Sequence, residues 1–477
     1  MRKTNKLSLA PLVFLMLGTV IGSGFSDLPA NMAKRAGADG VLLGWLVTGV
    51  GMLALVLVYR NLSLRKPNLN NGIASYARAG FGDYTGFNSA WGYWVSAVCA
   101  NASYFVIIFN ALAYFFPEIF EKDQLTIGAF IGGTTIIWVI QYLISKGVKK
   151  AAMLNVVVQI AKFLPVLLFL AVLLTVFNLD KFTFDFFAAG TGLAGLGTQV
   201  KSIMLVTVWV FIGIEGAIVV SERAGIRKDI GKATIIALVC ALLIYMLISL
   251  LTFGYMSQQA AATLNTPATA YILEQIIGPW GAAVVNLGLV ISVLGAMLGW
   301  TILATEVIYV GAKDGFMPKI FAKENKRNAP VNSLLLTNSL SQVLLVIAFL
   351  SSVAYETVFF IATTAILLPY LLSGMYGMKL TITGETYDKQ PKGRKKDLLI
   401  AAVCTIYAIW LIYAAGLENL LVVSILYAPG ILLYVKVQRE NNKRIFNSRL
   451  DIAVFVVITT MAVIATLMLI TGKISVG

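Results

Sequence analysis

The sequence predicts an all-α polytopic membrane protein built as a five-plus-five inverted repeat, with helices 1 and 6 broken and further helices at the C-terminus. Three observations carry that prediction. The 477 residues are 59% hydrophobic and 12% charged, with a mean hydropathy of +0.85, a balance that no soluble domain of this size holds. Apolar runs long enough to cross a bilayer follow one another with short connections. Two of these runs, five apart, are interrupted midway by glycines beside a carboxylate, the pattern expected of paired discontinuous helices.

We read thirteen spans, at 7–34, 40–60, 86–116, 125–145, 151–177, 200–222, 233–255, 280–312, 331–353, 355–378, 398–417, 419–435 and 451–472. The first opens after Met1-Arg2-Lys3 and is too long for a signal peptide, so it is read as an uncleaved span. Midway it carries Gly22-Ser23-Gly24, then Asp27 and Pro29. Glycines there let the backbone leave helical geometry and expose amide N–H groups, which a bilayer tolerates only around a protein-enclosed cavity or a ligand. Glycines of the second and fourth spans, Gly49, Gly51 and Gly132-Gly133, are read as close helix packing. The third span brings Tyr93, Trp94, Tyr104 and a polar Asn101. Lys162 interrupts the fifth, with Gln159 one turn before it. The sixth repeats the theme of the first in Trp209-Val-Phe-Ile-Gly-Ile-Glu215-Gly-Ala.

These spans imply a core over 1–435, with a first repeat at about 7–177, a second at about 200–378 and accessory helices over 398–435. A cytoplasmic loop and an extra helix follow over 436–477. Orientation comes from the basic residues. With the N-terminus inside, thirty of the 37 Lys and Arg fall in inner segments and five in outer ones, which places the N-terminus in the cytoplasm of a cell (inner or plasma) membrane. The net charge of +15 is therefore read as topology, with the bilayer as partner and no nucleic acid. The basic cluster over 389–396 is the one segment where lipid or nucleic-acid binding competes with that reading.

Histidine is absent, which removes Ser-His-Asp and Cys-His catalysis and histidine-ligated zinc or haem. Any proton coupling must use shifted Glu, Asp or Lys. The three cysteines, Cys99, Cys240 and Cys404, sit in apolar runs without metal or disulfide spacing. No metal, no cofactor and no catalytic residue is expected. A polytopic membrane enzyme would need a loop cluster that the short loops lack, and a channel would not need two matched half-helices.

The candidate residues are those that cost most to place in lipid. Glu215 would cost about 2.5–3.5 kcal/mol as a charge at mid-span, so it is expected to face a cavity or a partner. It either attracts a cation or exchanges a proton, or else bonds the frayed backbone of its own broken helix. Asp27 either adds negative potential or sits in water at the outer mouth. Lys162 either ties helices together where a sodium ion could sit or snorkels to the inner face. Trp209 and Trp300 adjoin glycine-rich sequence, and an indole face holds an ammonium or guanidinium by up to about 2 kcal/mol when desolvated. Asn101 must bond across helices or to a ligand. From the residues alone, the reading is a carrier for a small zwitterion with an extra positive charge: amides at Ser23 and Gly24 for its carboxylate, carbonyls of span six for its amine, and Trp209, Trp300 and Glu215 for the distal cation.

Gly-Thr-Val-Ile-Gly-Ser-Gly with Leu-Pro-Ala-Asn-Met-Ala (18–33), Trp-Val-Phe-Ile-Gly-Ile-Glu-Gly-Ala (209–217) and Leu-Gly-Trp-Thr-Ile-Leu-Ala (298–304) resemble the basic amino acid/polyamine antiporters of the amino acid–polyamine–organocation superfamily. The resemblance covers about residues 8–435, and Ala-Gly-Phe-Gly-Asp-Tyr-Thr-Gly-Phe-Asn-Ser-Ala-Trp-Gly-Tyr-Trp (79–94) looks most like its arginine/ornithine antiporters. It implies a LeuT-type fold and secondary-active exchange of extracellular arginine for intracellular ornithine by alternating access. It further implies carboxylate binding at Ser23 and Gly24, a gating Trp209, a pH-responsive Glu215, and binding roles for Tyr93, Asn101 and Trp300. Lys162 resembles the span-five lysine of sodium-independent relatives and, with Glu215, is the expected coupling residue.

Relatives usually read Gly-Ile-Phe-Ser-Leu-Pro after the break, whereas this chain reads Gly-Phe-Ser-Asp-Leu-Pro. That makes Asp27 a selectivity candidate. It leaves open exchange of an amino acid for its decarboxylated amine (histidine/histamine, lysine/cadaverine or ornithine/putrescine) and proton-coupled uptake. The thirteenth span exceeds the usual twelve, and a homodimer stays open.

Overall fold

The computed structural model describes residues 9–69, 72–121, 125–147, 162–182, 192–215, 227–351, 355–388 and 393–474. Among these residues the chain is helical, with no strand and one isolated bridge between Glu324 and Pro330. The helices in chain order are α1 (Leu9–Val20), α2 (Leu28–Ala33), α3 (Ala38–Arg65), α4 (Ile73–Phe81), α5 (Asp83–Ala113), α6 (Ile127–Ser145), α7 (Phe163–Val176), α8 (Gly192–Trp209) and α9 (Arg227–Tyr255). They continue with α10 (Gln258–Ala262), α11 (Ala268–Ile277), α12 (Pro279–Lys313), α13 (Val331–Ser351), α14 (Tyr355–Thr383), α15 (Arg394–Tyr427), α16 (Gly430–Glu440) and α17 (Arg449–Ile470). Among the described residues, nine helices are long and apolar enough to cross a membrane: α3, α5, α6, α9, α12, α13, α14, α15 and α17. The protein is a polytopic all-α membrane protein.

The sequence spans map onto these helices with informative differences. The first is broken, α1 and α2 being separated by non-helical backbone and a 3₁₀ turn over Gly24–Asp27. The sixth loses helical geometry after Trp209. The fifth is described only from Lys162 onward, so Gln159 lies outside the described residues, as does Gly216 beside Glu215. Spans eleven and twelve run into one another as α15, with a kink at Gly416 (φ 76°, ψ 159°) where the two runs were divided. The twelfth run is itself cut at Pro429, which cannot donate to a helical ladder, and resumes as α16. The connecting helices α4, α10 and α11 had no counterpart among the predicted spans.

The described chain forms two compact units that do not follow the order of the sequence. The first holds residues 1–56, 104–129 and 154–296, and the second residues 57–103, 130–153 and 297–477. Each therefore draws on both halves of the expected repeat.

In the first unit α1 packs on α9, with Met16 buried against Ala233 and Ala237 and flanked by Val13 and Leu17. Helix α2 is fully buried and touches α8, α9 and α10. Gln258 Nε2 donates to Ala33 O (3.0 Å), and Gly37 N–H donates to Gln199 Oε1 (2.8 Å), fixing the end of α2 and the start of α3.

In the second unit α14 packs on α4 and α15, and α15 packs on α17. Tyr76 of α4 stacks on Tyr376 of α14 (6.2 Å between centroids), and Lys379 Nζ donates to Gly80 O (2.6 Å). Helix α17 buries Asp451, Ala462 and Ala465 and leaves Ile452, Val456, Val463 and Leu467 exposed, an apolar face suited to lipid.

One end of this unit is closed by a polar network. The Arg65 guanidinium lies 3.5 Å over the Tyr387 ring, its Nε donates to Asn61 Oδ1 (2.8 Å) and an Nη reaches Asp397 Oδ2 (3.2 Å). Tyr387 Oη donates to the same carboxylate oxygen (2.8 Å). Burial pushes the Tyr387 phenol up, opposed by the Asn61 amide and reinforced by Asp397, so the phenol stays protonated and donating near neutral pH. The planar fork of arginine makes both the stacking and the two bonds, which lysine cannot reproduce. Arg65→Ala is expected to cost about 1–3 kcal/mol and to lower the melting temperature in detergent. Arg65→Lys should recover less than half of that loss; full recovery would mean that charge alone holds this corner.

Candidate functional site: two broken helices

The first unit contains both breaks. Helix α1 stops at Val20, and its last carbonyls cannot be satisfied within the helix. Each described donor comes from a different place. Ile21 N–H reaches Leu17 O (2.8 Å), Lys162 Nζ donates to Gly18 O, and Tyr245 Oη donates to Val20 O (3.0 Å). Lys162, 4% exposed and standing just ahead of α7, is thus buried against α1 and does not snorkel.

Beyond Val20 the chain turns through Gly22 and Ser23 into the 3₁₀ turn. Ser26 Oγ lies 2.7 Å from Ser23 O and 3.2 Å from Asp27 Oδ2, sharing its hydrogen between them. Ser23 is buried, and its Oγ has no partner among the described residues. The first amides of the turn are likewise those a short helix cannot bond internally.

The second break follows Trp209. Phe211 N–H bonds Val208 O (2.9 Å), and Ile214 N–H bonds Phe211 O (3.2 Å), so the chain proceeds in tight turns. Gly213 has φ +110°, a conformation that other residues rarely adopt. Its N–H donates to Glu215 Oε1 (3.1 Å). Glu215 is 1% exposed and so does bond the frayed backbone of its own break.

The two breaks touch. A methyl group at Gly24 would come within 2.6 Å of Val210 Cγ1 and 3.3 Å of the Trp209 indole. Only glycine allows this approach. Trp209 also packs near Tyr104, with 6.2 Å between ring centroids.

Asp27 is neither in water nor free. It is 3% exposed, and its Oδ1 accepts from Ala268 N–H (3.1 Å), the first amide of α11. A carboxylate at a helix N-terminus satisfies an orphan amide and interacts favourably with the helix dipole.

The remaining candidates lie in the second unit on α5 and α12. Tyr93 and Trp300 are buried, with ring centroids 6.5 Å apart. Asn101 Nδ2 donates to Thr301 Oγ1 (3.0 Å), so it bonds across helices, while its Oδ1 has no partner among the described residues. Trp94, in the same aromatic run, donates to Thr337 Oγ1 (3.0 Å) and is part of the packing. Sequence reasoning missed Thr301 and Tyr245. Thr301 adjoins Trp300 and was within reach; a lone tyrosine in an apolar run carries no distinguishing signal.

The amino acid permease family model matches residues 7–477. The chain belongs to this family. The match runs through α17, so the C-terminal helix lies inside the region that the family covers. This permease is 44% identical over 469 residues to the arginine/ornithine antiporter of Pseudomonas aeruginosa, covering 97% of each chain. It is 38% identical over 475 residues to the arginine/agmatine antiporter of Chlamydia trachomatis, covering 99% of this chain and 98% of that one. The resemblance read from the three motifs is borne out.

Asp27 generates a test of its own. Asp27→Ala removes the acceptor from the first amide of α11 and is expected to cost about 0.5–2 kcal/mol. Asp27→Asn keeps an oxygen for Ala268 N–H and should recover at least half of the melting temperature lost. Equal losses in both variants would show that the charge, and not the acceptor, holds α11.

Proposed function

We propose that this permease is a secondary-active antiporter that takes up arginine in exchange for intracellular ornithine. The observation that carries the proposal is the meeting of the two breaks. They put the non-helical backbone of both segments, a buried tryptophan and a buried carboxylate in one place, while a relative 44% identical over nearly the whole chain is named an arginine/ornithine antiporter. Arginine and ornithine share the α-amino acid head and a distal cation, so one site serves both and exchange follows from alternating exposure. On this reading Ser23 and Gly24 take the carboxylate, carbonyls of the second break the α-amine, and Trp209 and Glu215 the side-chain cation. Tyr93, Asn101 and Trp300 are assigned to substrate recognition, and Lys162 and Glu215 to coupling. The protein sits in the cell membrane with its N-terminus in the cytoplasm, and it carries out no chemical conversion of its substrate.

A second reading, exchange of an amino acid for its decarboxylated amine, is favoured by the arginine/agmatine relative. Uptake of labelled arginine into proteoliposomes preloaded with ornithine, agmatine, histamine, cadaverine or buffer separates the two. Stimulation by ornithine is expected. Stimulation by an amine alone would move the function to the second reading, and equal uptake into empty vesicles would end both. In the same vesicles, Trp300→Leu and Glu215→Gln are each expected to lower arginine uptake about tenfold or more without changing insertion. Wild-type rates in either would take that residue out of the site.

A further inference from the structure

We propose that Tyr245 is a positioning residue that links the two breaks, so that the backbone around Ser23 and the backbone around Gly213 are held, and shift, together. Tyr245 lies in α9 and is fully buried. Its hydroxyl donates to Val20 O, the last carbonyl of α1, at 3.0 Å. Its ring makes the other half of the link. It stacks on Trp45 (6.1 Å, 18° between planes) and meets Phe211 edge-on (5.7 Å, 79°). Phe211 stands inside the second break, two residues after Trp209, and also meets Trp45 edge-on (6.2 Å, 83°).

The three rings are fixed from behind. Trp45 Nε1 donates to Ser249 Oγ (3.3 Å), and Ser249 Oγ donates to Tyr245 O (2.8 Å). One turn beyond Trp45 on α3, Thr48 Oγ1 lies 2.6 Å from Thr207 Oγ1 on α8, just before the second break. The end of α1, α3, α9 and the second break therefore meet at one buried knot.

The chemistry of the knot distinguishes a link from ordinary packing. Close-packed aromatic cores deform in discrete steps, not continuously. A displacement of Phe211 must move the Tyr245 ring, and the ring carries the hydroxyl that holds Val20 O. Removing the hydroxyl cuts one strand of the link while leaving the rings in place. Removing the Phe211 ring cuts the other and leaves the hydroxyl bond available.

The test reads backbone protection by amide hydrogen exchange on the full chain in lipid nanodiscs, without substrate. Tyr245→Phe is expected to speed exchange of the amides over 21–28 about two- to tenfold, with residues 331–351 unchanged. Phe211→Leu is expected to speed exchange over 206–215 and also over 21–28. Unchanged exchange over 21–28 in Tyr245→Phe would overturn the role of the hydroxyl. A Phe211→Leu effect confined to 206–215 would overturn the link. Both variants are checked for a single cooperative melt, and Trp45→Phe supplies a milder probe of the same knot should either fail to fold.

A kinetic arm rests on the transport reading above. Tyr245→Phe should raise the KM for arginine about two- to tenfold with maximal exchange held within about a factor of two. A purely structural tyrosine would lower the amount of active protein and leave KM alone. Because hydrogen exchange needs no substrate, loss of the transport reading and loss of the link give separate results.

Discussion

The structure around the first break depends on one constraint: backbone polar groups inside a bilayer must find partners within the protein. Once α1 stops at Val20, its last carbonyls need donors. They come from the following turn, from Lys162 and from Tyr245. This gives a physical reason for a buried lysine beside an apolar helix. An ammonium there would be costly alone, but the carbonyl of Gly18 at the end of the half-helix accepts its hydrogen. The break and the lysine explain each other.

How much of this was legible in the sequence follows from how rare each signal is. Long apolar runs set the spans almost unaided, because hydrophobicity over twenty residues has few other uses. Gly22, Gly24, Gly213 and Glu215 stood out because glycine beside a polar group is unusual mid-span, and Lys162 because a charge is. Tyr245 did not stand out. It is one of 19 tyrosines, its partner is a backbone carbonyl 225 positions away, and nothing local marks the pairing. The short helices α4, α10 and α11 were missed for a different reason. They are too brief for their periodicity to separate from a polar connection, and α11 is anchored by Asp27 from 241 residues earlier.

Asp27 shows how a residue that reads as a substrate determinant can carry structural work. A bare carboxylate beside the first break would act strongly on a cationic substrate. Here its negative charge faces the first amide of α11 and the Ser26 hydroxyl. Hydrogen bonding and the helix dipole offset part of its field, so its pull on a distant cation is weaker than the sequence implies.

The two breaks differ in how their backbone is held. At the first, Lys162 and Tyr245 donate to the carbonyl end of α1, whereas the Ser23 hydroxyl beyond it has no partner among the described residues. A half-helix that keeps its amides available favours an anion. At the second, the Gly213 amide is already taken by Glu215, and the carbonyls of Val208, Trp209 and Phe211 accept from the turn amides that follow them. The breaks approach to van der Waals distance at Gly24. Because a methyl group at Gly24 would come within 2.6 Å of Val210 Cγ1, the turn at the first break and the backbone at the second are packed as one piece.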